Sequence, residues 1–233
     1  MIELTDFPKI ECPFVRKQFH INVDDWKQYG NRLQIREPHL YLVTPEINPT
    51  FEWVFDDPDT FAVEKLDGTN VKIATVEGEL KALCNRKQII NPLQIVKGKT
   101  FIIEGIFTAI QKGYVHLNGE QAGEVIGPKL QGNPYELNNH IWYPFDKAIK
   151  HLRYKSFHDH ARTFDNWSSW FKDWLYSRFA TKSGNPNIMA EGVVFYNLKR
   201  KAENKRWRAK LRRNMFDWYY SDYIRIGDII QED

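Results

Sequence analysis

One lysine, set between an apolar strand and a tight turn, constrains this chain more than any other feature. The run Thr60-Phe61-Ala62-Val63 reads as a strand that Glu64 and Lys65 close, and Asp67-Gly68 then reads as a turn. Val71-Lys72-Ile73-Ala74 alternates apolar and polar residues and reads as the next strand. A lysine at the end of a largely buried strand lies beside a turn whose backbone is free to meet a ligand. Low dielectric and a nearby cation both lower a lysine pKa from its usual ~10.4, and the neutral amine is a nucleophile. A hairpin with an exposed lysine has the same local sequence, so the rest of the chain must decide between the two.

The bulk composition narrows the setting. An apolar content of 42% over 233 residues supports a substantial core in one large domain or two small ones. A net charge of +3 leans weakly toward an anionic partner. The two cysteines, Cys12 and Cys84, are far apart and have no CxxC partner, which argues against a structural zinc site and a disulfide framework and points to a reducing environment. The first residues carry no basic run ahead of an apolar stretch. No segment approaches the ~20 apolar residues of a membrane span. The expectation is a cytoplasmic protein with no membrane partner.

Along the chain, residues 1–50 are interrupted by prolines. Leu40–Val43 reads as a strand and Asp24–Tyr29 as a helical turn or two before Gly30, the whole packing on the sheet that follows. Val71–Thr75 and Glu79–Leu83 flank Val76-Glu77-Gly78 as a hairpin, and Arg86 lies where the second strand leaves the sheet. Phe101–Phe107 is a buried strand or the middle of a helix, which periodicity cannot separate. Gly123–Ile126 reads as a short strand entering a Gly/Pro/Asn-rich loop, a connector or a binding loop, and His140–Asp146 as another strand. Trp167, Trp170, Phe171, Trp174 and Leu175 follow helical spacing on one apolar face, capped by Asp165 or Asn166, so core packing is favoured over base stacking. His151, His158 and His160 lack carboxylate or cysteine partners at metal-ligand spacing and are expected on a surface. Between Leu198 and Arg213 there are nine Lys or Arg and one acid, Glu203. Trp207–Arg212 alternates, so Lys210 and Arg212 share one face of a strand whose other face is buried. That cationic face must meet something anionic. The tail after residue 213 reads as a final helix or strand packing back.

Lys65-Leu66-Asp67-Gly68, Glu191-Gly192-Val193-Val194 and Lys210-Leu211-Arg212 stand in a fixed order, and this order resembles the covalent nucleotidyltransferases: ATP-dependent RNA and DNA ligases and mRNA capping enzymes. The likeness runs from residue 65 to 212. Three further features resemble nick-sealing RNA ligases: Thr69-Asn70 after the glycine, Gly123-Glu124 with the trailing Gly127–Asn133 loop, and Trp142-Tyr143-Pro144-Phe145-Asp146. Glu104 in Phe101–Gly105 also fits a third motif. Glu124 is preferred because its trailing loop matches and Phe145 follows at the family's distance, and Glu104 would then be structural.

The resemblance implies an α+β nucleotidyltransferase (ATP-grasp-like ligase) fold, mainly antiparallel sheets flanked by helices with the nucleotide pocket between them. It implies one adenylyltransferase domain over residues 1–233, with no C-terminal oligonucleotide-binding or helical domain. The implied activity is ATP-dependent joining of RNA 3′-OH and 5′-phosphate ends through lysyl-AMP. Lys65 would be the nucleophile. Lys210 and Arg212 would neutralise the α-phosphate, with Arg212 standing where the family has a second lysine. Glu64 at the adenine edge, Leu66, Asn70, Arg86, Glu124, Phe145 as a stacking face, Glu191 and Lys210 would bind the nucleotide. Glu191 would hold Mg²⁺, or Mn²⁺ in its place. Lys199, Arg200, Lys201, Lys205, Arg206 and Arg208 would track the backbone of a nicked duplex or of single-stranded ends. A monomer is expected, with a partner protein to supply substrate recognition where the further domain is missing. The competing expectations are a DNA ligase or capping-type guanylyltransferase on the same fold, and a catalytically silent nucleic-acid-binding module.

Overall fold

The alternation along residues 69–76 gives the larger sheet two unlike faces. A computed structural model describes residues 9–86, 88–92, 97–159 and 161–230. Its strands, in chain order, are β1 (Phe14–Ile21), β2 (His39–Ile47), β3 (Phe61–Lys65), β4 (Thr69–Val76), β5 (Glu79–Asn85), β6 (Gln88–Ile89), β7 (Gly119–Ile126), β8 (Ile141–Pro144), β9 (Gly192–Tyr196), β10 (Arg208–Arg212) and β11 (Ile226–Ile229). The chain divides into two compact units. One is built chiefly from Val63–Arg153 and Tyr176–Ala190, the other from Ile10–Ala62, Tyr154–Leu175 and the residues from Glu191 on. The α+β class with antiparallel sheets and flanking helices is the one expected.

In the first unit the strands run in the order β6-β5-β4-β7-β8, every pair antiparallel. The β4–β5 turn is Glu77-Gly78, with φ of 51° and 81°, the left-handed pair that a two-residue hairpin favours. Because side chains alternate across a strand, Val71 and Ile73 share a face with Leu83, Val125 and Trp142. That face is covered by the helix Thr100–Gln111 through Ile102, Ile106 and Ala109. The ambiguous Phe101–Phe107 run is therefore helical: its buried positions recur at helical spacing, and the sheet supplies the apolar surface that they need. Trp142 also donates its indole N–H to Val71 O at 3.0 Å.

Glu104, on this helix, serves the architecture. Its carboxylate receives the backbone N–H of His140 at 3.3 Å and faces Nδ1 of the same residue at 2.9 Å. Nε2 of His140 accepts from the Lys129 N–H at 3.1 Å, so the ring carries its proton on Nδ1. One buried imidazole thus ties both ends of the Gly-rich loop between β7 and β8 to the covering helix.

In the second unit, β1 and β2 do not join a later sheet as added strands. They form their own, β11-β1-β2, whose third strand comes from the chain's last described residues. The intervening helix runs Val23–Leu33, longer than the turn or two expected. Asn22 caps it by accepting from the Asp24 and Asp25 N–H groups. Ile21, Leu40, Leu42, Tyr220 and Ile224 form the core of this part. β9 and β10 pair antiparallel, and Ala209 and Leu211 are buried as the alternation required.

The tryptophan-rich segment departs from a regular helix. The helix Phe164–Ser169 is capped by Thr163, not by Asp165 or Asn166, and passes into a π turn at Trp170–Trp174. Trp167, Phe171 and Leu175 are buried, and Trp167 stacks on Phe195 and Phe55 at 4.9 Å in each case. A π turn advances fewer degrees per residue than an α turn, so Trp174 drifts off the apolar face and is 68% exposed.

Replacing His140 removes a buried ring and orphans the Lys129 N–H. His140→Ala is expected to cost about 2–3 kcal/mol of stability, read from urea denaturation, and Glu104→Gln, which keeps an acceptor, about 1 kcal/mol or less.

Candidate active site

Lys65 is the last residue of β3 and is half-buried, with Nζ at 3.4 Å from Leu66 O. The turn that follows lies against the end of β7. A Cβ on Gly68 would stand 2.1 Å from Val125 O and 2.9 Å from Ile126 Cγ2, so only glycine permits the approach. The Asp67 N–H is bound by the Tyr135 hydroxyl at 2.8 Å, which fastens the turn to the β7–β8 loop. Leu66 is 4% exposed and joins the core.

The face of the five-stranded sheet opposite the covering helix begins beside that turn. Asn70 pairs with Glu124, and Glu124 with Tyr143, so the three side chains form a row across β4, β7 and β8. Arg86 adjoins Asn70 on the other side through its backbone. It follows β5 in a left-handed conformation, φ 55°, and donates its N–H to Asn70 O at 3.2 Å. The Asn85 side chain fixes the crossing by donating to Asn70 O at 2.8 Å and Thr69 Oγ1 at 3.0 Å. Phe145 opens the helix Phe145–His151 directly after β8. Glu124 stands with Asn70, while Glu104 is engaged with His140. Sequence reasoning missed Lys72, on the Asn70 face, 7% exposed and 3.2 Å from Glu120 Oε2. The signal was present as a charge inside an alternating strand.

Glu64 departs from its expected place at the edge of a base. Its side chain is 2% exposed. Oε1 accepts from Ser177 Oγ at 2.6 Å and Oε2 from the Phe179 N–H at 2.7 Å. Burial raises its pKa to about 7 against the opposing pull of Ser177 and the Phe179 and Arg178 N–H groups. Neither Ser177 nor Phe179 lies in any motif, so the sequence gives no sign of this pairing.

In the second unit, Glu191 stands just before β9. Gly192 meets β10 so closely that a Cβ would lie 2.2 Å from Leu211 O, which explains the Glu-Gly pair as backbone contact. Lys210 and Arg212 share a face of β10, and Arg212 Nη1 is 3.7 Å from Glu191 Oε1. Arg212 Nε is buried with no hydrogen-bond partner among the described residues. A buried guanidinium N–H left in this state has donor capacity for an anion.

The cationic run before β10 is largely engaged within its own unit. Lys199 pairs with Asp59 at 2.6 Å, Lys205 with Glu203 at 2.8 Å, and Arg206 with Glu11. Arg200 donates to Arg206 O at 2.8 Å and lies over the Trp53 ring. Lys201 and Arg208 both lie over Trp207. The run is therefore a braced surface and not a bare charge track. Among the described residues no group of three or more His, Cys, Asp or Glu side chains is placed to hold a metal. His158 faces Arg162 at 2.9 Å, and His160 lies outside the described residues.

No protein-family model matches the chain, and no curated protein does. Solved structures do. The resemblance is to RNA ligase. One match is Naegleria gruberi RNA ligase with PPi, 17% identical over 75% of this chain and 55% of that one, TM-score 0.46. A mutant of the same ligase with ATP and Mn is 14% identical over 93% and 63%, TM-score 0.45. Another mutant with ATP and Mn is 17% identical over 70% and 51%, TM-score 0.41. The chain thus spans little more than half the length of these structures.

The Glu64 carboxyl makes a pH dependence measurable. A carboxyl whose folded pKa lies above its unfolded value holds its proton more tightly when folded. Its contribution is therefore complete below about pH 4.5 and lost as pH rises through about 7. Ionised Glu64 then costs about 3 kcal/mol relative to the protonated form. Wild-type stability in urea should fall between pH 5 and 8 through this group, and Glu64→Gln should flatten that slope.

Proposed function

We propose that the chain is an ATP-dependent RNA ligase that works through a covalent lysyl-AMP. The observation that carries this reading is the packing of the Lys65 turn against the end of β7, beside the pair Asn70 and Glu124, with the Arg86 backbone bound to Asn70. It sets a nucleophile next to a face of hydrogen-bonding side chains without which an amine has nothing to orient its substrate. In this reading residues 1–233 act as one adenylyltransferase domain, a monomer inside the cell.

The neutral Lys65 amine attacks the α-phosphorus of ATP. The bond to the β-phosphate oxygen breaks, pyrophosphate leaves, and the amine proton passes to solvent. The AMP then moves to a 5′-phosphate on RNA and frees the lysine. An RNA 3′-OH attacks that 5′-phosphate, a phosphodiester forms and AMP departs. Glu124 accepts from ribose hydroxyls, Arg86 and Asn70 hold phosphate or ribose oxygens, and Phe145 offers a ring for adenine. Lys210 and Arg212 stabilise charge that develops on the α-phosphate. The Glu191 carboxylate would be the oxygen donor for Mg²⁺, or Mn²⁺ in its place, and the ion would supply positive charge to the phosphates. The braced cationic run at residues 199–208 offers a docking surface for the backbone of nicked or single-stranded RNA, where a partner protein would add recognition.

Incubation with labelled ATP or GTP and Mg²⁺, followed by a denaturing gel, tests the first step. ATP should give a covalent adduct that Lys65→Ala abolishes. No adduct, or one that survives the substitution, overturns the reading, and a GTP-only adduct points to capping chemistry. Matched nicked RNA and DNA substrates test the second part, with sealing expected on RNA and not on an all-DNA nick. Arg212→Ala should lower the rate of adduct formation about 100-fold, and Arg212→Lys less, since charge survives without the planar fork.

A further inference from the structure

We infer that Glu64 is a positioning residue for Lys65, fastening the nucleophile's strand from behind, with no contact between its carboxyl group and the nucleotide. The inference rests on the nucleotidyl-transfer reading of Lys65. Successive side chains of a strand point to opposite faces. Lys65 is half-buried at the end of β3, and Glu64 points the other way, to 2% exposure. A base at the Lys65 side of the strand therefore does not meet the Glu64 carboxyl, and both of its oxygens are already taken.

The bonds that take them form a closed circuit around the nucleophile. Ser177 Oγ and the Phe179 N–H bind the Glu64 carboxylate at 2.6 and 2.7 Å, and Ser177 Oγ itself accepts from the Ala180 N–H at 2.9 Å. The Glu64 backbone N–H donates to Leu152 O at 3.0 Å. Ser177 is held in turn, its N–H on Ile188 O at 2.7 Å, beside a bridge between Tyr176 and Met189. The Phe179 ring packs edge-on against Tyr135 at 5.2 Å and Tyr143 at 5.4 Å. The Tyr135 hydroxyl is the group that binds the Asp67 N–H. The residue before Lys65 and the second residue after it are thus held through one element, with Phe179 and Tyr135 in contact between them. The nucleophile's backbone is clamped on both sides.

The residue type fits this role. An ionised carboxylate at this depth costs stability, and glutamine would fill the same space without the charge. A costly group directly behind a reactive lysine is expected where the position of that lysine matters more than stability. Two short bonds, from Ser177 Oγ and the Phe179 N–H, hold the strand at this point.

The test uses the full chain with Glu64→Ala, Glu64→Gln and Ser177→Ala. Single-turnover formation of the lysyl-nucleotide is followed over a range of ATP concentrations, and amide hydrogen exchange over residues 61–68. Glu64→Ala and Ser177→Ala should lower the maximal rate about tenfold or more while half-saturating ATP stays within about threefold, because misplacement weakens attack and not binding. Exchange in that segment should quicken without a matching change elsewhere, and Glu64→Gln should recover much of both. A rise in half-saturating ATP of more than about tenfold at unchanged maximal rate would mean a nucleotide contact and overturn the proposal. Unchanged rate and unchanged exchange would overturn it too. Should Glu64→Ala not fold, Ser177→Ala and Tyr135→Phe carry the same comparison. If the wild-type chain forms no adduct, the nucleotidyl-transfer reading fails. Exchange alone then decides whether the carboxylate seats the strand: faster exchange in Ser177→Ala supports the seat, and unchanged exchange refutes it.

Discussion

A β-strand repeats every two residues, and β4 uses both of its faces. Val71 and Ile73 bury against the helix Thr100–Gln111, and this fixes the register of the sheet, since a slip by one residue would turn the apolar set to the other side. The same register aligns Asn70 with Glu124 and Glu124 with Tyr143 on the opposite face. The candidate site is thus a by-product of core packing. Its row of polar groups is held as firmly as the apolar row behind it, which is how a scaffold gives side chains a fixed geometry without spending loop order on them.

Glycine carries the second constraint. At Gly68 and Gly192 a backbone carbonyl of a neighbouring strand occupies the space in which a Cβ would stand. Each glycine sits beside a proposed functional residue, within the Lys65 turn in one case and directly after Glu191 in the other. The close approach brings a short motif against a strand that carries other candidate groups. Glu64 adds a complementary device, a buried acid that holds the Lys65 strand against the Ser177–Phe179 turn at a cost in stability above neutral pH.

The cationic run and the tryptophan segment both show how tertiary partners change the meaning of a pattern. Lys199, Lys205 and Arg206 find acids, and Lys201, Arg208 and Arg200 find rings, all within one unit. A surface braced in this way loses less side-chain freedom on meeting a polyanion than a row of free lysines would. At Trp170–Trp174 a single π turn changes the phase of the helix, and Trp174 leaves the face that its spacing assigned to it.

The sequence by itself determined the features that depend on near neighbours: the strands around Lys65, the hairpin at Glu77-Gly78, the alternating cationic face of β10, and the order of the short motifs. Periodicity and turn chemistry act over a few residues and can be read in a window. Only the tertiary structure decided that Phe101–Phe107 is helical, that β1 and β2 build a sheet with β11, that Glu104 serves His140, and that Glu64 is buried. Those outcomes depend on partners 36 residues apart for Glu104 and His140, 68 for Asp67 and Tyr135, and 113 for Glu64 and Ser177. No local pattern records such pairings, because the free energy that selects them comes from burial and hydrogen bonding between segments that meet only when the chain is folded.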